Sequence, residues 1–119
     1  MKKRPSLLIE PRLRITCGRR MAFGPGKATL LEQIDKTGSI AEAAKAMAMS
    51  YMRAWTLVKS MNRSFLKPLV ETVRGGRKRG GAKLTLAGRQ TLRLYREMES
   101  RTLRASKASQ QKLARLLLK

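Results

Sequence analysis

The chain has no histidine and a single cysteine, Cys17. Without histidine there is no imidazole acid or base, no His-based triad and no His metal ligand. One cysteine excludes an intramolecular disulfide and any Cys-rich zinc site within one chain. Carboxylates are scarce too: only 7 Asp+Glu, with no cluster among them, leave little material for acid/base or metal chemistry. Long apolar runs are also missing. After Met1-Lys2-Lys3-Arg4-Pro5, the apolar Leu7, Leu8 and Ile9 give way to Glu10, Pro11 and Arg12, so no signal-peptide core follows. Nothing approaches the roughly 18 apolar residues of a membrane span. These absences lead to the expectation of a cytoplasmic, non-enzymatic protein with no catalytic residues, metal, cofactor, membrane contact or small-molecule site.

What is present is positive charge. The 119 residues carry 28 Lys+Arg, giving a formal net charge of +21. The 42% hydrophobic content suffices for a small core, and the length suits one domain. So strong a charge on so short a chain points to a polyanion, with nucleic acid first in line. The charge is also segregated. Residues 1–24 carry net +6, residues 25–49 are neutral, residues 50–90 carry +9 and residues 91–119 carry +6. A neutral support beside a dense basic segment is the pattern of a binding face.

The local patterns describe a helix-turn-helix with a hairpin. Leu13, Ile15 and Cys17 alternate with Arg12, Arg14 and Thr16, as in a half-buried strand with Cys17 as a small buried hydrophobe. Pro25 suits the first turn of a helix whose stripe is Leu30, Leu31 and Ile34, and Gly38 ends it. Ser39 and Glu42 have the spacing of a capping box for a short second helix, with Ile40, Ala43, Ala44 and Met47 on one face. Ser50 is the next N-cap. Ala54, Leu57, Val58, Met61 and Phe65 then form the stripe of a helix over 51–65. A strand over Leu69 to Arg74, the run Gly75-Gly76-Arg77-Lys78-Arg79-Gly80-Gly81 and a return strand through Ala82, Leu84 and Leu86 make a basic-tipped hairpin. A last helix begins near Thr85–Ala87, with Leu92, Tyr95 and Met98 on one stripe. The pattern weakens after about Arg104. The expected organisation is an N-terminal arm over 1–11, a winged helix-turn-helix over 12–104 and a helical or disordered tail over 105–119. The fold class is mainly α with a small β-hairpin wing.

The helix over 51–65 is the expected recognition helix. At about 100° per residue, the face opposite its apolar stripe carries Met52, Thr56, Lys59, Ser60 and Arg63. Arg53 lies on one flank, and Trp55 and Asn62 lie on the other. Tyr51 stands closer to the stripe, and it and Trp55 serve equally well as packing residues. Arg53, Thr56 and Lys59 are candidates for base contacts, because the start of such a helix meets base edges and Arg binds guanine in bidentate fashion. Ser50 and Tyr51 are candidates for phosphates. The hairpin cations Arg74, Arg77, Lys78, Arg79 and Lys83 suit phosphates or the minor groove.

The same residues resemble a known family. Gly38-Ser39-Ile40, Ala44-Lys45, Ser50-Tyr51, Ala54-Trp55, Met61-Asn62, Gly75-Gly76, Gly80-Gly81-Ala82 and Leu84-Thr85 with Gly88 resemble the DNA-binding domain of ModE-type molybdate-responsive regulators over about residues 12–98. The helix-turn-helix is also similar to that of LysR-type regulators. The resemblance implies a homodimer on a partly palindromic operator in double-stranded DNA. It also implies a recognition helix holding Ser50, Tyr51, Trp55 and Asn62, a wing over Gly75 to Ala82, and a link to molybdate metabolism. Full-length family members bind molybdate in C-terminal β domains. This sequence ends at Lys119 without a matching segment, so direct molybdate sensing is not expected of it. An architectural protein coating DNA with little sequence preference is the alternative reading of the charge.

Overall fold

The computed structural model describes residues 7–73 and 81–117. The chain begins with an antiparallel hairpin, β1 (Ile15–Cys17) and β2 (Arg20–Phe23). Three helices follow: α1 (Pro25–Thr37), α2 (Ile40–Ala46) and α3 (Tyr51–Ser64). A second antiparallel pair, β3 (Val70–Val73) and β4 (Gly81–Leu84), leads to α4 (Leu86–Ala105) and α5 (Lys107–Ala114). This is a winged helix-turn-helix, with α2 and α3 as the helix pair and β3–β4 as the wing.

The helix ends are set by side chains. Pro25 occupies the first turn of α1, and Gly38 closes it in the left-handed conformation, its N–H donating to the Ile34 carbonyl at 2.8 Å. The Ser39 hydroxyl accepts from the Glu42 N–H at 3.2 Å. The reciprocal half of the expected capping box is absent, because the Ser39 N–H donates to Thr37 Oγ1 at 3.3 Å instead. Ser50 caps α3 by accepting from the Arg53 N–H at 3.1 Å, and Thr85 caps α4 by accepting from the Gly88 N–H at 3.0 Å.

The tight turn between α2 and α3 rests on two carbonyls. The Met49 N–H donates to the Ala44 carbonyl at 3.0 Å and the Ala48 N–H to the Lys45 carbonyl at 3.1 Å. This is the double closure that ends a helix, with Ala48 at the left-handed position, φ 53°, usually held by glycine.

The core joins all three layers. Leu30, Leu31 and Ile34 of α1, Ile40, Ala43 and Ala44 of α2, and Ala54, Val58 and Met61 of α3 are buried together with Leu69, Val70, Ala82 and Leu84. Burying each large aliphatic side chain contributes about 1.5–3 kcal/mol. Phe23 sits at a corner of this core, edge-on to Phe65 at 6.0 Å and to Tyr95 at 5.1 Å between ring centroids. Tyr95 is buried, and its hydroxyl donates to the Leu13 carbonyl at 2.7 Å. Arg96 pairs with Glu32 of α1 and, at 2.8 Å, with Glu99. These contacts fasten the first half of α4 to α1 and to the N-terminal segment.

Several expectations need correction. Cys17 is exposed rather than buried, because β1 runs past the edge of the core and pairs Cys17 with Arg20 at the hairpin end. The return strand stops at Leu84. Leu86 opens α4 and is largely exposed, since the Thr85 cap turns the chain into helix one residue earlier. Met98 is exposed as well: a three-residue step drifts round the helix, and the core ends near Tyr95. β2 was not expected, and within the tail residues 107–114 form the helix α5.

Candidate nucleic-acid interface

The exposed face of α3 follows from which residues its neighbours occupy. Ala54, Val58 and Met61 point inward and are buried. Tyr51, Met52, Arg53, Thr56, Lys59 and Arg63 are exposed, and Trp55 is half-buried. Thr56 donates its hydroxyl proton to the Met52 carbonyl at 2.8 Å, leaving its oxygen free to accept. The Lys59 ammonium lies 5.5 Å from the centre of the Trp55 ring, a cation–π pair that holds the lysine along the helix. The face therefore combines three cations, a hydroxyl and a thioether, with no carboxylate on the whole helix.

Two anchors fix the wing, one to this helix and one to the turn before α2. Asn62 Nδ2 donates to the Val70 carbonyl at 3.0 Å, and its Oδ1 accepts from the N–H groups of Leu69 at 2.8 Å and Val70 at 3.2 Å. The Ala82 N–H donates to the Gly38 carbonyl at 3.0 Å, which ties β4 to the turn between α1 and α2. Gly88 completes the arrangement: a side chain there would collide with the Leu69 carbonyl oxygen, so α4 can start against β3 only at a glycine.

The expected site residues therefore separate. Ser50, Tyr51, Met52, Arg53, Thr56, Lys59 and Arg63 share one exposed surface. Trp55 flanks that surface and packs partly against the core. Asn62, expected on the same flank as Trp55, has its amide committed to the backbone of Leu69 and Val70. Lys83 is exposed on β4 and pairs with Glu71 directly across the wing at 3.4 Å. Arg74, Arg77, Lys78 and Arg79 lie outside the described residues.

Sequence reasoning missed Lys27. Its side chain is 7% exposed, and Nζ donates to the carbonyls of Met21 at 2.8 Å and Ala22 at 3.5 Å and to Ser60 Oγ at 3.3 Å. Burial, helped by the nearby charge of Arg20, pushes this lysine below its usual range. Lysine is so rarely buried that no sequence signal marked it. Among the described residues, no three His, Cys, Asp or Glu side chains gather as a metal site. No described helix is long and apolar enough to cross a membrane.

Comparison with known proteins agrees with this geometry. The solved CbnR DBD–DNA complex is similar with a TM-score of 0.57 at 20% identity, covering 74% of this chain and 95% of that one. The molybdenum transport protein ModE of Azotobacter vinelandii is 42% identical over 78 residues, 66% of this chain and 29% of that protein. The molybdenum-pterin-binding protein MopB of Rhodobacter capsulatus is 40% identical over 83 residues, 70% of this chain and 30% of that protein. The DNA-binding transcriptional dual regulator ModE of Escherichia coli K12 is 39% identical over 71 residues, 60% and 27% of the two chains. The chain thus spans less than a third of the length of these relatives. A family model described as bacterial regulatory helix-turn-helix protein, lysR family, matches residues 27–89. By that match, which takes in most of α1, the α2–α3 pair, the wing strands and the first turn of α4, the chain belongs to the lysR family of bacterial regulatory helix-turn-helix proteins.

Proposed function

We propose that the chain is a sequence-specific DNA-binding transcriptional regulator that acts in the cytoplasm as a homodimer on double-stranded DNA. The observation that carries this reading is the carboxylate-free outer face of α3, held rigidly against the wing by Asn62. A polar helix face of that width fits the major groove, where Arg53, Thr56 and Lys59 meet base edges. Ser50, Tyr51 and Arg63 take phosphates, and so do the basic residues Arg77, Lys78 and Arg79 that fall in sequence between β3 and β4. The role is binding rather than catalysis.

The dimer reading rests on α4. Leu94 and Met98, one turn apart, are both exposed on α4, as are Leu113 of α5 and Leu116 and Leu117 just after it. Two copies pairing along this surface would present two α3 helices to half-sites about one helical turn apart, or a multiple of it.

The relatives named for molybdenum transport and molybdenum-pterin binding support a link to molybdate metabolism. Selection of bound fragments from the source genome, with and without molybdate, tests these points together. The account expects a recurrent, partly palindromic site near genes of molybdenum metabolism. Fragments with no common sequence would favour a DNA-coating protein, the reading that the net charge of +21 alone would allow.

A further inference from the structure

The recognition helix is braced on both sides. Ser60 and Asn62 are two residues apart, which at about 100° per residue places them on opposite flanks of α3. Asn62 holds the wing on one flank. Ser60 accepts from Lys27 on the other flank, and the same ammonium donates to the Met21 and Ala22 carbonyls of β2. Phe23 against Phe65 adds a second, apolar fastening between β2 and the end of α3. The exposed residues Met52, Thr56, Lys59 and Arg63 lie between the two braces. A helix seated in a major groove has a phosphate strand on each side. The wing accounts for one of them.

The β1–β2 hairpin carries the charge needed for the other. Its turn is Gly18-Arg19 and β2 opens with Arg20; both arginines are exposed. No Asp or Glu occurs from residue 11 to residue 31. Among the described residues, neither arginine has a carboxylate within ion-pair distance. Arg20 adjoins Met21, whose carbonyl shares the Lys27 ammonium with Ser60 Oγ, so the start of β2 lies on the Ser60 side of α3.

We propose that the β1–β2 hairpin is a second DNA-contacting wing, with Arg19 and Arg20 binding backbone phosphates on the flank of α3 opposite the β3–β4 wing. This rests on the DNA-binding reading of α3. It assigns the hairpin an affinity role without a sequence-reading one.

The test is the salt dependence of binding to a mixed-sequence DNA duplex, using the full chain. Each phosphate contact contributes about 0.9 to the slope of log affinity against log salt. Arg19→Gln with Arg20→Gln should reduce that slope by about 1.8, whereas Arg19→Lys with Arg20→Lys should keep it. Lys107→Gln with Lys112→Gln removes the same charge from α5 and should change the slope less. The inference is overturned if the double Gln variant keeps the wild-type slope, or if the α5 pair lowers it equally. Failure of the unmodified chain to bind the duplex would overturn the DNA reading itself, and is recognised without any variant.

Discussion

Asn62 of α3 and Val70 of β3 share two hydrogen bonds, side-chain N–H to carbonyl at 3.0 Å and main-chain N–H to side-chain oxygen at 3.2 Å. With the third bond, from the Leu69 N–H, the helix that faces outward and the wing beside it form one rigid piece. Asn62→Ala removes all three and leaves half-buried main-chain groups unpaired. At about 1 kcal/mol per bond, the loss of unfolding free energy should be about 2–4 kcal/mol, read by chemical denaturation. A loss under about 0.5 kcal/mol, the level of an ordinary surface change, would contradict the bracing role.

Lys27 links stability to alkaline pH. Its folded-state pKa lies below the ordinary 10.5, because burial and Arg20 disfavour the charged form. Between the folded value and 10.5 the unfolded chain holds more protons, so this group makes stability rise with pH across that window. Tyr95, raised above 10.0 mainly by its burial, acts in the opposite sense above that value. It is common to the wild type and to Lys27→Met, so it cancels in their difference. The stability of the wild type minus that of Lys27→Met should therefore increase as pH approaches 10.5 and then level off. A flat or falling difference would contradict a folded-state pKa below the ordinary value for Lys27.

Much of this fold was legible because local signals agreed with it. Leu30, Leu31 and Ile34 repeat at helical spacing, Ser39, Ser50 and Thr85 stand where caps are needed, and Gly38 ends α1. What was hidden depends on contacts between distant segments. β2 shows no strict polar–apolar alternation over Arg20, Met21, Ala22 and Phe23, so no strand was expected there. Its strand form comes from pairing with β1 and from Phe23 entering the core. Cys17 matched an inward pattern, but nothing in the pattern says where the core ends. Asn62 reads as a DNA-contact candidate on the flank of α3, because its partners, the Leu69 and Val70 backbone, leave no mark in side-chain identity. The outer face of α3 was readable from helical periodicity, except that Ser60, expected on it, is half-buried and accepts from Lys27. The bracing of its two flanks was not.

The proposed dimer surface gives a separate expectation. Leu94 and Met98 are about half exposed and one turn apart on α4. Leu94→Glu with Met98→Glu should leave the fold intact, because neither side chain belongs to the core. It should convert a dimer into a monomer by sedimentation and weaken binding to a two-half-site duplex. A wild-type chain that sediments as a monomer at all concentrations would contradict pairing through this surface.

Sequence discrimination separates base reading by α3 from attraction by charge alone. The affinity of the chain for its selected duplex should be compared, at fixed salt, with its affinity for bulk DNA. The account predicts a preference of roughly a thousandfold or more. Arg53→Ala or Lys59→Ala should reduce the preference, each lost base contact costing about 1–3 kcal/mol. Equal affinity for both DNAs, or a preference untouched by either substitution, would contradict base reading by the outer face of α3.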